Sequence, residues 1–385
     1  MSHRVPWFDE TLDEKFVTRA RIVLAEAFLE GSLKDRRGLG ELWKTCIKCS
    51  RCTAVCPSGV KGDEISMGIA ALLNSSRPDT QLKKFFSAIV PDRKLFDAFI
   101  MSAYLGQQAL PKRRRGLLRH LPLAVMGKRD LPRVASRSAL NALPRRSGPD
   151  KPRLSAALFI GCAINYAYPH TAHSMVKLLT ALGVEVVVPK NQLCCGTPAL
   201  TMGLVKEAAE LAKKNIKVLS STGCDVVVTG CASCALTLGR NYADLLPDES
   251  MPRVVEFSKL LHELGYEPRE QNARKVSYHD PCHLRFGLGI KDEPREILDK
   301  AAVLTDMPNE EKCCGGGGSF SFFNPELADE LGARKVEGAC GTEADTVVTT
   351  CPGCVMQLRE QFEKNSLETK VMHLADFLTE LQCVY

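Results

Sequence analysis

Two copies of one tripeptide, Cys194-Cys195-Gly196 and Cys313-Cys314-Gly315, decide how this chain is read. Each lies inside the same larger frame, with one cysteine about thirty residues upstream, Cys162 or Cys282, and a C-x-x-C about thirty-five residues downstream, Cys231/Cys234 or Cys351/Cys354. The spacings are C-x31-CC-x35-C-x2-C and C-x30-CC-x36-C-x2-C, an internal repeat of about 120 residues that uses ten of the seventeen cysteines. Chance does not keep five cysteines in register.

The chain around each frame alternates between two textures. In the first repeat LSAALFIG (154–161), VEVVVP (184–189), DVVVTG (225–230) and RVVEF (253–257) are short apolar, β-branched runs, while MVKLLTALG, VKEAAELAKKNIKVLSS and SKLLHELG have helical spacing. The second repeat answers with KVSYHDP (275–281), AAVLTDM (301–307), DTVVTTC (345–351) and KVMHLADF (370–377), separated by further helical stretches. Such βα alternation predicts an α/β fold with parallel sheets covered by helices. Cys162, Cys231, Cys282 and Cys351 all fall just after a predicted strand, at the sheet edge where open α/β folds bind ligands. Helix N-termini at that rim would stabilise an anionic group.

Five soft ligands at one rim suit iron–sulfur chemistry better than a single zinc ion, which takes four. Adjacent cysteines rarely reach one metal comfortably, but they can reach two irons of one cluster. A vicinal redox disulfide is the rival reading of the tripeptides.

Upstream, Cys46, Cys49, Cys52, Cys56 and Pro57 form a C-x2-C-x2-C-x3-C-P run. This is the bacterial ferredoxin signature, whose closely spaced thiolates hold a cubane cluster from one tight loop. In two-cluster ferredoxins the fourth cysteine ligates the other cluster. Here no second such run exists, so either Cys56 closes a single local cluster or the fourth ligand comes from elsewhere.

These residues carry a resemblance. The two frames resemble the paired CCG domains of heterodisulfide reductase, its B-type catalytic subunit and D-type relative, and the N-terminal run resembles the C-type subunit fused ahead of them. The resemblance implies a non-cubane [4Fe-4S] cluster on Cys162, Cys194, Cys195, Cys231 and Cys234, and a second on Cys282, Cys313, Cys314, Cys351 and Cys354. It also implies one [4Fe-4S] cluster in the N-terminal part, and a substrate disulfide split between the two non-cubane clusters. Where that family has two ferredoxin runs, this chain has one. Related subunits also act as electron relays in glycolate and lactate oxidation, in fumarate-linked complexes and in benzoyl-CoA reductase assemblies, so a relay without disulfide chemistry is the alternative. Neither reading comes with a nucleotide fingerprint in the chain, so electrons are expected from a flavin- or ferredoxin-type partner subunit.

The expected organisation is an α-helical ferredoxin-like domain over residues 1–110, a basic, proline-rich linker over 111–153, and two pseudo-symmetric CCG domains over 154–272 and 273–385. The linker holds thirteen Lys or Arg against Asp130 and Asp150 between Lys112 and Arg153, although the whole chain carries only +6. It reads as a solvated connection, with an acidic partner or a membrane surface as rivals; nucleic acid is excluded because no aromatic interleaving or recognition motif accompanies it. No long apolar run or export signal is present, which places the chain in the cytoplasm, where clustered thiols bind metal or do redox work. Cys224, Cys340 and Cys383 stand outside the repeat pattern and read as small buried hydrophobes or bystanders, and His170 and His173 are assigned to packing. His283 follows Cys282 directly and is the candidate catalytic proton donor, with a core role as the competing reading. The run from Gly315 to Gly318 lets backbone approach a cluster or substrate closely.

Overall fold

The computed structural model describes residues 13–75, 81–108, 118–120, 130–268 and 271–382. A short antiparallel pair, β1 (Leu118–His120) and β2 (Asp130–Pro132), precedes the two main sheets. The first sheet contains β3 (Arg146–Ser147), β4 (Leu154–Leu158), β5 (Val184–Val187), β6 (Val226–Thr229) and β7 (Val254–Glu256), in the order β3-β5-β4-β6-β7. The second contains β8 (Lys275–Tyr278), β9 (Val303–Thr305), β10 (Thr346–Thr349) and β11 (Lys370–His373), in the order β11-β10-β8-β9. Within these two sheets only β3 is antiparallel to its neighbour. Without it, both sheets run second-first-third-fourth or its mirror in their own repeat, and every pairing is parallel.

The sequence explains the layout. The central strands β6 (VVVT) and β10 (TVVT) are buried at every position, as expected when helices cover both faces of a parallel sheet. The order reverses between the first and third strands of each repeat, and the cysteines just after β4, β6, β8 and β10 gather at those crevices. Two expectations need adjustment. The stretch read as a strand over 370–377 ends at His373, because Leu374–Gln382 is an amphipathic helix. Part of the stretch read as a solvated linker is core: Ala139, Leu140 and Leu143 are buried, and Arg146–Ser147 adds a strand to the first sheet.

The repeats share one helical layer. Helix Pro169–Ala181 packs against Leu374–Gln382, and helix Phe257–Glu263 packs against Glu293–Ala301. Each contact pairs the first long helix of one repeat with the last helix of the other, so the layer has pseudo-twofold symmetry. Met175, Leu178, Phe257, Leu298 and Phe377 are fully buried within it. Burial of such a side chain contributes roughly 1.5–3 kcal/mol relative to exposure.

Ahead of the repeats, helices Thr18–Leu29, Arg36–Lys44 and Gly62–Ser75 enclose a small core of Ala25, Leu39, Trp43, Ile69 and Leu73. Asp35 starts the second of these helices by accepting the Gly38 amide at 2.8 Å. This unit is fixed to both repeats. Arg240 reaches Glu64 at 2.6 Å, Asn74 donates to the Met202 carbonyl at 2.6 Å, and Asn324 donates to the Lys44 carbonyl at 2.8 Å.

Candidate metal centre

Nine of the ten repeat cysteines line one cavity of about 200 Å³ between the two sheets. Cys194, the tenth, lies behind it with its sulfur against Cys162 and Cys195. Within the first set the Cys234 and Cys195 sulfurs are 3.4 Å apart. The two sets meet at the pseudo-dyad, where Cys231 and Cys351, the matching first cysteines of the C-x-x-C pairs, are neighbours in one buried cluster. His373 helps to hold this junction: its Nε2–H donates to the Gly230 carbonyl at 2.7 Å, tying β11 to the loop that carries Cys231.

The second cysteine of each tripeptide is a low-pKa thiol, and so is Cys351, which hydrogen bonds from Cys231 and Cys354 hold well below the usual range. Hydrogen bonds from Cys194 and Cys234 hold Cys195 well below the usual thiol range, and those from Cys313 and Cys354 do the same for Cys314. Gly196 (φ +89°) and Gly315 (φ +82°) then turn left-handed, so the chain leaves the cysteine pair at once. In the first repeat that turn leads directly into helix Thr197–Thr201.

The N-terminal run forms its own cavity. Cys46, Cys49 and Cys52 line it, and the backbone is left-handed at Lys48 (φ 61°) and Ser50 (φ 60°), on either side of Cys49. Those two kinks turn closely spaced thiols toward one space; such backbone strain clusters at functional sites. Cys56 does not line the cavity, and its sulfur accepts the Val60 amide at 3.3 Å. Lys48 and Arg21 are buried beside these thiols, and among the described residues neither is paired with a carboxylate. Lys48 donates to Ser66 Oγ at 2.8 Å, and Arg21 donates to the Leu42 carbonyl at 2.9 Å and to Thr45 Oγ1 at 2.7 Å. Burial pushes the Cys46 thiol up, but the Lys48 ammonium and the Arg21 guanidinium outweigh it and bring Cys46 down to about 7. Two buried cations without counter-anions fit an anionic thiolate cluster, which would neutralise them.

The N-terminal loop abuts the second set. Cys49 packs beside Cys282, and burial, then the neighbouring Cys282 thiolate, push the Cys49 thiol well up. His283 bridges three segments: its Nε2–H donates to the Lys48 carbonyl at 3.0 Å, while Nδ1 is 2.8 Å from Ser233 Oγ in the first set's C-x-x-C. Behind the second set, Asp280 is fully buried and held by Arg295 through bonds of 2.9 and 2.8 Å, with Arg285 completing the cluster.

One residue at the site was not singled out from sequence. His279 is buried, neither of its ring nitrogens has a hydrogen-bond partner, and its ring lies with the Cys314 and Cys354 sulfurs so that all three ligand atoms fall within 4.8 Å of one another. The signal was available, since His279 stands three residues before Cys282. Of the outlying cysteines, Cys340 is exposed rather than buried, Cys224 is partly buried at the edge of the first repeat's core, and Cys383 lies outside the described residues. His170 and His173 are exposed, which corrects their assignment to packing, although His170 sits edge-on to Tyr168 and 3.4 Å from Asp376.

Twin doubly wound sheets with their cysteines converging on one dyad define a class of iron–sulfur protein. Sequence comparison gives the family. The cysteine-rich domain family CCG matches residues 156–239 and 276–359. A probable glycolate oxidase iron-sulfur subunit from Bacillus subtilis is 28% identical, over 97% of this chain and 90% of that one. Lactate utilization protein A 1 from Bacillus mycoides is 30% identical, over 59% of this chain and 97% of its own length. A fumarate reductase (CoM/CoB) subunit from Methanothermobacter marburgensis is 34% identical over 57% of this chain, which spans 45% of that relative. The chain belongs to the family of iron–sulfur proteins built on paired cysteine-rich CCG domains. Among the described residues no helix is long and apolar enough to cross a membrane.

Proposed function

We propose that this chain is an iron–sulfur electron-transfer subunit of an oxidoreductase complex and that a disulfide-type substrate is reduced in the cavity between its two cysteine sets. The observation that carries this reading is the convergence of nine repeat cysteines on one space, with Cys231 beside Cys351 at its centre. Bound there as two non-cubane [4Fe-4S] clusters, with a further [4Fe-4S] cluster in the N-terminal unit, the cofactors would supply electrons one at a time. Cys46, Cys49 and Cys52 would hold the N-terminal cluster; Cys56 is the expected fourth ligand. The source of electrons is a flavin- or ferredoxin-type partner subunit.

Reduction of a disulfide consumes two electrons and two protons and yields two thiols. His283 and Ser233 both line the cavity, and together they can move a proton without losing a hydrogen bond. In neutral His283, Nδ1 accepts from the Ser233 hydroxyl. When the ring is protonated, Nδ1–H donates to Ser233 Oγ instead, which frees the hydroxyl proton to face the cavity. Nε2–H stays on the Lys48 carbonyl in both states. His283 is thereby assigned the proton for one departing thiolate.

The alternative is a relay with no disulfide chemistry of its own, and the glycolate oxidase-type relative of nearly equal length favours it. The two readings separate in one experiment. Anaerobically purified protein, expected to hold on the order of twelve irons for three four-iron clusters, is reduced with a viologen dye and offered glutathione disulfide or the mixed disulfide of coenzymes M and B. Reoxidation with two thiols released per disulfide supports reduction, while reduced protein unchanged by any disulfide supports the relay. Zinc in place of iron defeats both.

A further inference from the structure

The two cysteine sets share a fold but not their surroundings. The backbone amide of His279 donates to the Val348 carbonyl at 2.9 Å, and that of Phe159 donates to the Val228 carbonyl at 2.8 Å. Both residues stand three positions before the first cysteine of their set, so the imidazole of the second repeat occupies the place of a fully buried phenyl ring in the first. A second difference has the same sense. Helices Val205–Ser220 and Pro325–Cys340 correspond residue for residue, and a Cβ on either tripeptide glycine points at the matching alanine, Ala208 or Ala328. In that register Lys335 stands opposite Asn215, and both are buried. Asn215 is fully used within its own repeat, accepting the Leu193 amide at 2.8 Å and donating to the Cys194 carbonyl at 3.0 Å. Lys335 instead places an ammonium within electrostatic reach of Cys314 and Cys313, and of the carboxylates of Glu311 and Asp280, its Nζ–H donating to the Asn309 carbonyl.

We infer that the second cysteine set is tuned to hold more negative charge than the first, with His279 donating a ring N–H to a sulfur at Cys314 and Lys335 adding a buried positive charge behind it. The inference rests on the reading that both sets hold iron–sulfur clusters. A hydrogen bond to a cluster sulfur stabilises the reduced form over the oxidised one and raises the potential, and a nearby buried cation acts in the same direction. The apolar phenyl of Phe159 does neither. The second set is the more oxidising of the two, and an electron shared between them resides there. His279 is a positioning residue for that charge, acting through the Cys314 sulfur.

The test uses the full chain, purified anaerobically, with iron and sulfide counted and each cluster followed by electron paramagnetic resonance during a potentiometric titration. Two repeat-derived signals with different midpoints are expected. His279→Phe, which installs the residue the first repeat tolerates in the same backbone geometry, should lower only the higher midpoint and leave iron content unchanged. Lys335→Asn should lower the same midpoint, and His279→Gln, which keeps an N–H donor, should recover part of the loss. An unmoved midpoint in His279→Phe at full iron content would overturn the inference while leaving the functional reading intact. A strong nitrogen hyperfine coupling in the native protein, lost in His279→Phe together with iron, would also overturn it, because His279 would then be a ligand. Native protein without clusters would sink the functional reading itself and this inference with it.

Discussion

Replacing Gly315 with alanine asks the second tripeptide to do two things it is not built for. Its φ of +82° lies in the left-handed region, where a side chain costs about 1–2 kcal/mol. A Cβ there would also stand 2.7 Å from the Ala328 carbonyl oxygen and 3.0 Å from its Cα, both backbone atoms of helix Pro325–Cys340 that cannot swing aside. Forcing an extra methyl into packed structure costs a further ~1–3 kcal/mol. The total for Gly315→Ala is therefore roughly 2–5 kcal/mol. Gly196 supplies an internal control: its φ is +89°, but the nearest atoms to its Cβ are Ala208 Cα and O at an ordinary 3.6 Å. Gly196→Ala should cost only the backbone term, about 1–2 kcal/mol. The two variants are compared by urea unfolding under anaerobic conditions and by iron retention at sub-denaturing urea. Gly315→Ala is expected to release iron first, and from the second set. Equal losses in the two variants, or a larger loss in Gly196→Ala, would refute the steric argument.

Other outcomes follow from single contacts. Asp280→Asn weakens the bidentate Arg295 pairing at a fully buried carboxylate and should lower stability by on the order of 3 kcal/mol, read as a shifted unfolding midpoint. Lys48→Met removes a buried ammonium beside Cys46 and should lower the potential of the N-terminal cluster while leaving the repeat signals unmoved. Glu256, which starts helix Phe257–Glu263 by accepting the Ser258 amide at 2.8 Å, is raised by burial to about 7. A carboxyl raised in the folded state stabilises it fully below the unfolded pKa and loses that contribution as pH rises through 7, up to ~3 kcal/mol. Glu256→Gln should flatten the drop in melting temperature between pH 5 and pH 7, and an unchanged drop would exclude this carboxyl as its source. His283→Asn should slow disulfide turnover with iron content unaltered, and undiminished turnover would end its proton-donor role.

The cysteine pattern and the strand texture were legible because both are local. Each of the eight main predicted strands overlaps an observed one, and nine of the ten cysteines assigned to two frames line one cavity, with Cys194 behind it. What escaped the sequence depends on partners far along the chain. The juxtaposition of Cys231 and Cys351 needs two sheets packed through a shared helical layer, and no spacing encodes that. The bridging role of His283 requires the Lys48 carbonyl, 235 residues away. His279 is different: laying the repeats in register places it opposite Phe159, a substitution of imidazole for phenyl three positions before a cysteine. The run over residues 370–377 was misread as wholly strand because apolar and aromatic residues continue past His373, although the helix is fixed by Leu374, Phe377 and Leu378 facing the shared core.

The helical layer that joins the repeats has the form of a subunit interface folded into one polypeptide. Two identical chains meeting about the same axis would have to place the same residue on both sides of it, because an isologous contact repeats every side chain. Joining the halves in tandem removes that constraint. Position by position, each half is free to drift from its twin while the contact surface that holds them together is kept, and Phe159 facing one set with His279 facing the other is an arrangement that two identical chains could not hold.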